Sequence, residues 1–231
     1  MEAIILAGGK AERLGDAAGG RPKSLVEVAG RPLVAYQVAR LAHAGVGRVI
    51  VSCAAGQGAL FEEELAGLGA EIVAAEEPER LGRGGGIRFA AQSRREAGDV
   101  YALNGDELVA VDFVALLARH RDAGGAATVT VARPKSRFAV VELGESDVIE
   151  GFTETGHDPY WVNCGIYVLS EDAIERFPER GDHETTVFPE LVAERRLYAY
   201  RHDGLWLTVN TPKELRTAGE HIAAHPEWLA A

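Results

Sequence analysis

Residues 1–30 read MEAIILAGGKAERLGDAAGGRPKSLVEVAG, an apolar run that breaks into a basic, glycine-rich loop. The run from Ala3 to Ala7 has the length and composition of a buried strand. After it come Gly8-Gly9 and then a loop carrying Lys10, Arg13 and Lys23. Glycine lets a backbone come close to an anion with its N–H groups aimed at it. Arg13 adds a planar fork of donors and Lys23 a mobile point charge. The stretch reads as a strand opening into an anion cradle.

Outward from it, apolar runs alternate with helical patterns. Pro32 opens an amphipathic helix whose apolar positions are Leu33, Tyr36, Val38, Ala39 and Leu41, and Gly45 and Gly47 end it; proline suits a first turn. Residues 48–51 predict a second strand, 58–68 a helix and 72–75 a third strand. A second glycine-rich loop, EEPERLGRGGG, spans 76–86, followed by a helix over 87–97. A fourth strand over 100–103 stops at Asn104-Gly105-Asp106. This alternation, to about residue 122, predicts a doubly wound, mostly parallel, Rossmann-like α/β sheet. Ligands of such sheets lie beyond the carboxyl ends of the strands. Both glycine loops and the Asn-Gly-Asp turn follow strand ends, so they are expected to converge on one crevice.

From residue 123 the pattern changes. Strands over 128–132, 139–143 and 148–152 have no helices between them, and a longer one spans 161–169. Short helices near 171–177 and 186–192 precede strands over 197–200 and 205–209. Thr211 and Pro212 supply the cap and first position of a helix reaching about residue 224. The expectation is one domain over 1–231 whose second half is a mixed-sheet extension forming the other wall of the crevice.

Composition narrows the function. Apolar residues make up 47% of the 231, enough to fill a core, and no run of 18 predicts a membrane span. Residues 1–7 are too short for a signal peptide. Cys53 and Cys164 lack metal-ligand spacing and suit a reducing cytosol. A formal charge of −11 argues against a surface that tracks nucleic acid, so basic residues gathered at one glycine-rich loop point to a small anionic ligand. The histidines, among them His183, His202, His221 and His225, show no site spacing and read as surface or helix-end residues.

The first loop resembles the entry motif of the sugar-phosphate nucleotidylyltransferases, a pattern of the type L-A-G-G-x-G-T-R-L followed by P-K. Here it stands as Leu6-Ala7-Gly8-Gly9-Lys10-Ala11-Glu12-Arg13-Leu14, then Pro22-Lys23. The likeness continues in order through PKSLVEVAGRPLV, LGRGGGI, LNGDE, WVNCGIYVLS and LWLTVNTPKEL. It implies a nucleotide-binding half over 1–122, a sugar-binding half over 123–231, and no β-helix acyltransferase domain. It also implies an enzyme that joins a nucleoside triphosphate to a sugar 1-phosphate and releases pyrophosphate, with Mg²⁺ as cofactor. Short mannose-1-phosphate and heptose-1-phosphate guanylyltransferases look most similar. Relatives are often oligomeric, which implies a cytoplasmic homo-oligomer.

Residue roles follow from the resemblance. Arg13 would steady the pyrophosphate, together with backbone N–H groups of Gly8 to Ala11, and Lys23 would neutralise the α-phosphate side. Asp106 would ligate Mg²⁺. Leu6, Ala7, Gly8, Gly9, Lys10, Ala11, Glu77, Gly82, Arg83 and Gly84 fall on nucleotide-binding positions, and Gly105, Glu154 and Asn163 on sugar-binding ones. Simpler readings stand beside these: a solvated lysine at 23, a turn aspartate at 106, a solvated Glu107, and Glu77 pointing to water. If Glu77 faces the base, guanine is favoured, because its edge offers two donors to an acceptor-only carboxylate, whereas uracil offers one between two carbonyls.

The chain departs from the family pattern at four places. Ala11 replaces a usual glycine and would be strained if its φ were positive. Arg83 stands where many relatives have threonine. The lysine relatives often carry after Glu154 is missing, with Arg133, Lys135 and Arg137 as candidates to replace its charge. Thr208 takes the place of a second metal carboxylate, which Asp203 or Asn210 would have to assist. Two alternatives stay open: a uridylyltransferase acting on an amino-sugar 1-phosphate, because short relatives of that type also carry a Gly-Gly-Gly-Ile loop, and, because of the missing lysine and carboxylate, a non-catalytic nucleotide-sugar-binding regulatory protein.

Overall fold

The computed structural model describes residues 1–9, 11–136, 138–225 and 227–230. Lys10 and Arg137, both singled out above, lie outside the described residues.

In chain order the elements are β1 (Glu2–Leu6), β2 (Glu27–Val28), β3 (Arg31–Pro32), α1 (Leu33–His43), β4 (Arg48–Ala54), α2 (Gly58–Glu64), β5 (Glu71–Glu77), α3 (Gly82–Ala91), β6 (Val100–Asn104), β7 (Glu107–Val109) and α4 (Phe113–Ala123). They continue as β8 (Ala127–Ala132), β9 (Val140–Leu143), β10 (Ile149–Thr153), β11 (Val162–Leu169), α5 (Glu171–Arg176), α6 (Val187–Ala193), β12 (Leu197–Arg201), β13 (Trp206–Thr208), α7 (Pro212–Ala224) and α8 (Glu227–Ala230). A seven-stranded sheet has the order β12-β8-β11-β6-β1-β4-β5. Only β11 runs antiparallel to its neighbours.

The sheet is covered on both faces because the middle positions of its central strands are apolar on both sides, alternate side chains pointing to opposite faces. Ala3, Ile5, Val49, Val51 and Leu103 meet α1, α2 and α4 in one core, through Val34, Val38, Phe61 and Leu116. Ile4, Ile50 and Ala102 face the other way, onto Ile87 and Ala90 of α3, Ile174 of α5 and Phe188 of α6. The chain leaves β1 toward β4 on one side and returns to β6 on the other, so the carboxyl end of β1 is the switch point where such sheets form a crevice. The second half extends this same sheet through β8, β11 and β12. The β9–β10 ribbon and the β7–β13 and β2–β3 pairs stand outside it. No helix among the described residues is long and apolar enough to cross a membrane.

Two local expectations are corrected. The second glycine-rich segment is not a loop to residue 86: β5 runs through Glu77, and α3 begins at Gly82 and ends at Ala91. Its glycines allow close packing within a helix. A Cβ would stand 2.8 Å from the His183 nitrogen at Gly84, 2.5 Å from the Glu179 carbonyl oxygen at Gly85, and 2.8 Å from Glu77 Oε1 at Gly86. Bare glycines let the 178–183 segment lie on the first turn of α3. Gly181 O there accepts from the N–H groups of Gly84 (2.9 Å) and Gly85 (3.3 Å).

The second correction concerns histidines. His202 is buried, and His183 has no exposed surface. His183 stacks on Phe177 with centroids 4.8 Å apart and meets Phe188 and Tyr167 edge-on. Neither of its ring nitrogens has a hydrogen-bond partner among the described residues. Burial pushes its pKa down to about 4, against the pull of Asp182. The unfolded chain, with an ordinary value near 6.5, therefore binds the proton more readily. The stability tied to neutral His183 is complete above pH ~6.5 and is lost as pH falls toward about 4, by up to ~3 kcal/mol. His183→Phe should flatten the fall in thermal midpoint between pH 6.5 and 4. An unchanged slope would exclude His183 as its source.

Candidate active site

Two cavities open along the carboxyl edge of the sheet. The smaller, about 360 Å³, is bounded by Gly8 and Gly9 after β1, Glu77 at the end of β5, Gly82 and Arg83 opening α3, and Asn104 to Glu107 after β6, with Lys23 and Asn210 closing it. Leu6, Ala7 and Gly105 also line it. Space beside the Gly9 Cα is open, with no atom within 4 Å of where a Cβ would stand. Gly105 is forced by packing: a Cβ there would meet Leu6 O at 2.7 Å, the same oxygen that accepts the Gly105 N–H at 2.9 Å.

At the junction of the two cavities stands a four-residue constellation. Lys23 Nζ donates to Asp106 Oδ2 and to Asn210 Oδ1, each at 2.6 Å. Arg13 Nη2 donates to the same Asn210 oxygen at 2.9 Å. Arg13 and Lys23, expected at the pyrophosphate and at the α-phosphate side of the bond that breaks, thus share one acceptor. Local sequence explains the arrangement. Pro22 holds an extended ψ of 142° and feeds a single 3₁₀ turn, Lys23–Leu25, which buries the lysine stem and leaves Lys23 7% exposed. On the facing side β7 pairs with β13 so that Glu107 opposes Thr208. Val209 N–H donates to Asp106 O at 3.3 Å, which carries Asn210 alongside the Asp106 turn. Thr211 then caps α7 in a reciprocal capping box with Glu214, fixing the backbone just beyond Asn210. Asn210 accepts from both cations and lines both cavities, whereas Asp203, the other residue named for the Thr208 position, lines only the larger cleft. Thr208 bonds Glu214 and stays out of the smaller cavity.

Glu107 is not a solvated charge. Its Oε2 accepts from Trp206 Nε1 at 2.7 Å, and withdrawal from water pushes its carboxyl up to about 8, the Trp206 bond pulling the other way and the charge of Asp106 adding to the rise. The sequence signal was present but non-local, since nothing in it shows that residue 206 returns to residue 107.

Glu77 does not point to bulk water either. It is 8% exposed, with Oε1 accepting from Ser52 Oγ at 2.7 Å and Oε2 from the Leu81 N–H at 2.9 Å. A carboxylate has about four acceptor sites, so two remain for a ligand in the cavity it lines. Ser52, a hydroxyl inside the apolar run of β4, was the overlooked partner.

Other expected site residues are placed differently. Gly84 lies buried under the 178–183 segment, its N–H taken by Gly181 O, and does not line the nucleotide-side cavity. Arg83 lines that cavity, but its guanidinium is ion-paired to Asp182 and, at 2.9 Å, to Glu184. Glu184 Oε1 also accepts from Asn163 Nδ2 at 2.8 Å and Tyr167 Oη at 2.9 Å. Asn163 thus joins Arg83 through a carboxylate and lines a separate hollow over β8 and β12. Glu154 is exposed beyond the end of β10 and lines neither cavity of the crevice.

As to metal, no group of three or more His, Cys, Asp or Glu among the described residues is arranged to hold an ion. Asp106 is half-exposed, and its Oδ1 accepts no hydrogen bond from the described residues. One carboxylate completed by phosphates and water suits Mg²⁺, which rarely takes an all-protein cage. The residues present fit a phosphate-bridging Mg²⁺ and do not form a site of their own.

Comparison with known proteins identifies relatives of the whole fold. A mannose-1-phosphate guanylyltransferase of Mycobacterium tuberculosis is 32% identical over 93% of this chain and 62% of its own length. Mannose-1-phosphate guanyltransferase 2 of Candida glabrata is 28% identical over 100% of this chain and 68% of its own length. The chain thus spans about two thirds of these curated relatives. The crystal structure of HddC from Yersinia pseudotuberculosis shares the fold, with a TM-score of 0.74 at 21% identity, covering 96% of this chain and 99% of that one. A family model described as nucleotidyl transferase matches residues 2–225. The glycine-walled cavity at the sheet's switch point, with Lys23, Asp106 and Asn210 in its lining, thus lies in a chain that belongs to the nucleotidyl transferase family.

Proposed function

We propose that the protein transfers a guanylyl group from GTP to mannose 1-phosphate, giving GDP-mannose and pyrophosphate. The anchored Glu77 carboxylate carries the choice of base. It lies in the cavity walled by Gly8 and Gly9 with acceptor capacity to spare, and guanine alone among the common bases offers N1–H and a 2-amino group on one edge. The curated relatives named above support the choice of sugar.

In this reading the base lies against Gly8 and Glu77 and the triphosphate runs toward Lys23. A phosphate oxygen of the acceptor attacks the α-phosphorus, the bond from that phosphorus to the bridging oxygen of the β-phosphate breaks, and pyrophosphate leaves with the electron pair. No residue need take a proton, because the attacking oxygen is already anionic. The work is positioning and charge neutralisation. Lys23 faces the α-phosphoryl oxygens. Arg13, on the exposed loop, steadies the departing pyrophosphate with N–H groups of the Gly8–Gly9 segment. When bound, Mg²⁺ on Asp106 would supply further neutralisation of the phosphates.

The test is pyrophosphate release with GTP, ATP, UTP, CTP and dTTP against a panel of sugar 1-phosphates. GTP with mannose 1-phosphate should give the highest kcat/KM. Preference for UTP with an amino-sugar phosphate would replace this reading, and nucleotide-sugar binding with no turnover for any pair would remove catalysis from it. Glu77→Gln keeps the bonds to Ser52 and Leu81 by turning its amide. It should lower the GTP preference about 10- to 100-fold, the worth of one charge-assisted bond to the base. An unchanged nucleotide ranking would take the base away from Glu77.

A further inference from the structure

The larger cleft, about 1750 Å³, begins at Asn210 and Arg13, where the smaller cavity ends, and runs toward the end of β8. Its lining is electrically unusual for a chain with 35 acidic and 24 basic residues. Arg13, Arg133, Lys135 and Lys213 all line it, and none has a carboxylate within ion-pair distance among the described residues. By contrast, Arg21, Arg48, Arg83, Arg95, Arg121, Arg176 and Arg196 each have one. Of the acidic lining groups, Glu214 is spent on the backbone N–H groups of Asn210 and Thr211.

Two of these cations are mounted on a built wall. The stretch from Pro134 to Ser136 pairs with that from Gly156 to Asp158: Lys135 bridges His157, Ser136 N–H donates to Gly156 O, and Asp158 N–H donates to Pro134 O, both at 2.9 Å. His221 of α7 lines the same cleft, its pKa lowered by burial first, then by His225, against the pull of Glu227, and least by Lys135. The Arg133 guanidinium lies over the Trp161 ring, 5.3 Å from its centroid, and Arg201 lies at the same distance. Stacking orients a guanidinium without using any of its five N–H donors. Arg133 is thus held in place with its donors unspent.

Resting on the reading above, we propose that Arg133 and Lys135 hold the phosphate of the acceptor sugar 1-phosphate, and that the acceptor occupies this cleft with its phosphate directed toward Asn210. A dianion supplies the counter-charge that the wall lacks. The neutral part of the acceptor then fills the space between this wall and α7. Nucleotide binding, at the other cavity, does not involve these two side chains.

The test separates site from reaction. In Arg133→Ala/Lys135→Ala, KM for mannose 1-phosphate should rise at least about 30-fold, since each lost charge-assisted contact accounts for about tenfold. KM for GTP and kcat should stay within about threefold. Arg133→Lys/Lys135→Arg should restore most of the loss. Equilibrium binding with mannose 1-phosphate as probe should show the same loss, and mannose lacking phosphate should not distinguish the variant from the wild type. Unchanged acceptor KM and binding in a protein that turns over mannose 1-phosphate would overturn the site while keeping the reaction. Absence of turnover, with probe binding that still disappears in the double variant, would overturn the reaction and keep the site.

Discussion

Replacing Lys23 by alanine should lower kcat for nucleotidyl transfer by about 10³-fold, while the thermal midpoint moves by only a few degrees. The rate loss follows from where the ammonium is. Its stem is buried, its nitrogen is fixed by two acceptors at 2.6 Å, and it has a third N–H for the cavity. A donor held this way is already in place when charge builds on the α-phosphoryl group, so no solvent or side chain must reorganise. Removing one such donor from a preorganised site costs roughly 10²- to 10³-fold. Here the truncation also leaves Asp106 as an unopposed carboxylate beside the phosphates, which adds repulsion. The stability cost is small by contrast. Asp106 is 39% exposed at its side chain, so water replaces the lost ion pair, and pairs of that kind contribute about 1 kcal/mol or less. Lys23→Arg should recover little activity, since a planar fork cannot aim one nitrogen at both Asp106 and Asn210. Steady-state pyrophosphate release alongside thermal melts decides the matter, and a kcat within tenfold of wild type would dismiss Lys23 from the chemistry.

The contrast between Lys23 and the sugar-side residues shows which parts of such a site a sequence discloses. Strand β1, its glycine exit and the Lys23 turn are local features. Apolar continuity, Gly8-Gly9 and Pro22 each act on their own neighbours, so the chain text describes them directly. The parallel character of the sheet was accessible too, because strand–helix alternation favours parallel pairing through right-handed crossovers, although the strand order was not. What the text could not disclose were meetings between distant segments. The register of β7 on β13, which brings Trp206 to Glu107 and Asn210 to Asp106, depends on a pairing across about a hundred residues. Gly82 to Gly86 looked like a loop because glycine disfavours helices, yet here packing of the 178–183 segment outweighs intrinsic propensity. His183 looked like a surface residue because nothing nearby in sequence reveals Phe177, Phe188 and Tyr167 closing around it. Asn163 and Arg83, assigned to different ligands by motif, are tied to one carboxylate, Glu184, which no motif includes. A motif places side chains on strands and turns. It does not say which of them neutralise one another.

Asp106→Ala should cost about 10²- to 10³-fold in kcat, and its coupling to Lys23 tests whether the two act as a unit. Asp106 has two separable tasks. Through Oδ2 it orients the Lys23 ammonium, and Oδ1, which accepts no hydrogen bond among the described residues, would hold Mg²⁺, a cation that suits one carboxylate completed by phosphates and water. Asp106→Asn keeps an acceptor for Lys23 and removes the charge. If orientation were the whole role, the asparagine variant would work nearly normally. If the charge matters for the metal, the Mg²⁺ concentration giving half-maximal rate should rise at least about tenfold. We expect the second result, because Thr208 stays outside the cavity and Glu107, the adjacent carboxyl, is engaged by Trp206 Nε1 and pushed toward its neutral form by withdrawal from water. Groups that serve one transition state are non-additive, so Lys23→Ala/Asp106→Ala should be no more than about tenfold slower than the worse single variant. Fully multiplicative losses would mean that the 2.6 Å contact between the two is incidental to the chemistry, with each residue acting on a different part of the triphosphate.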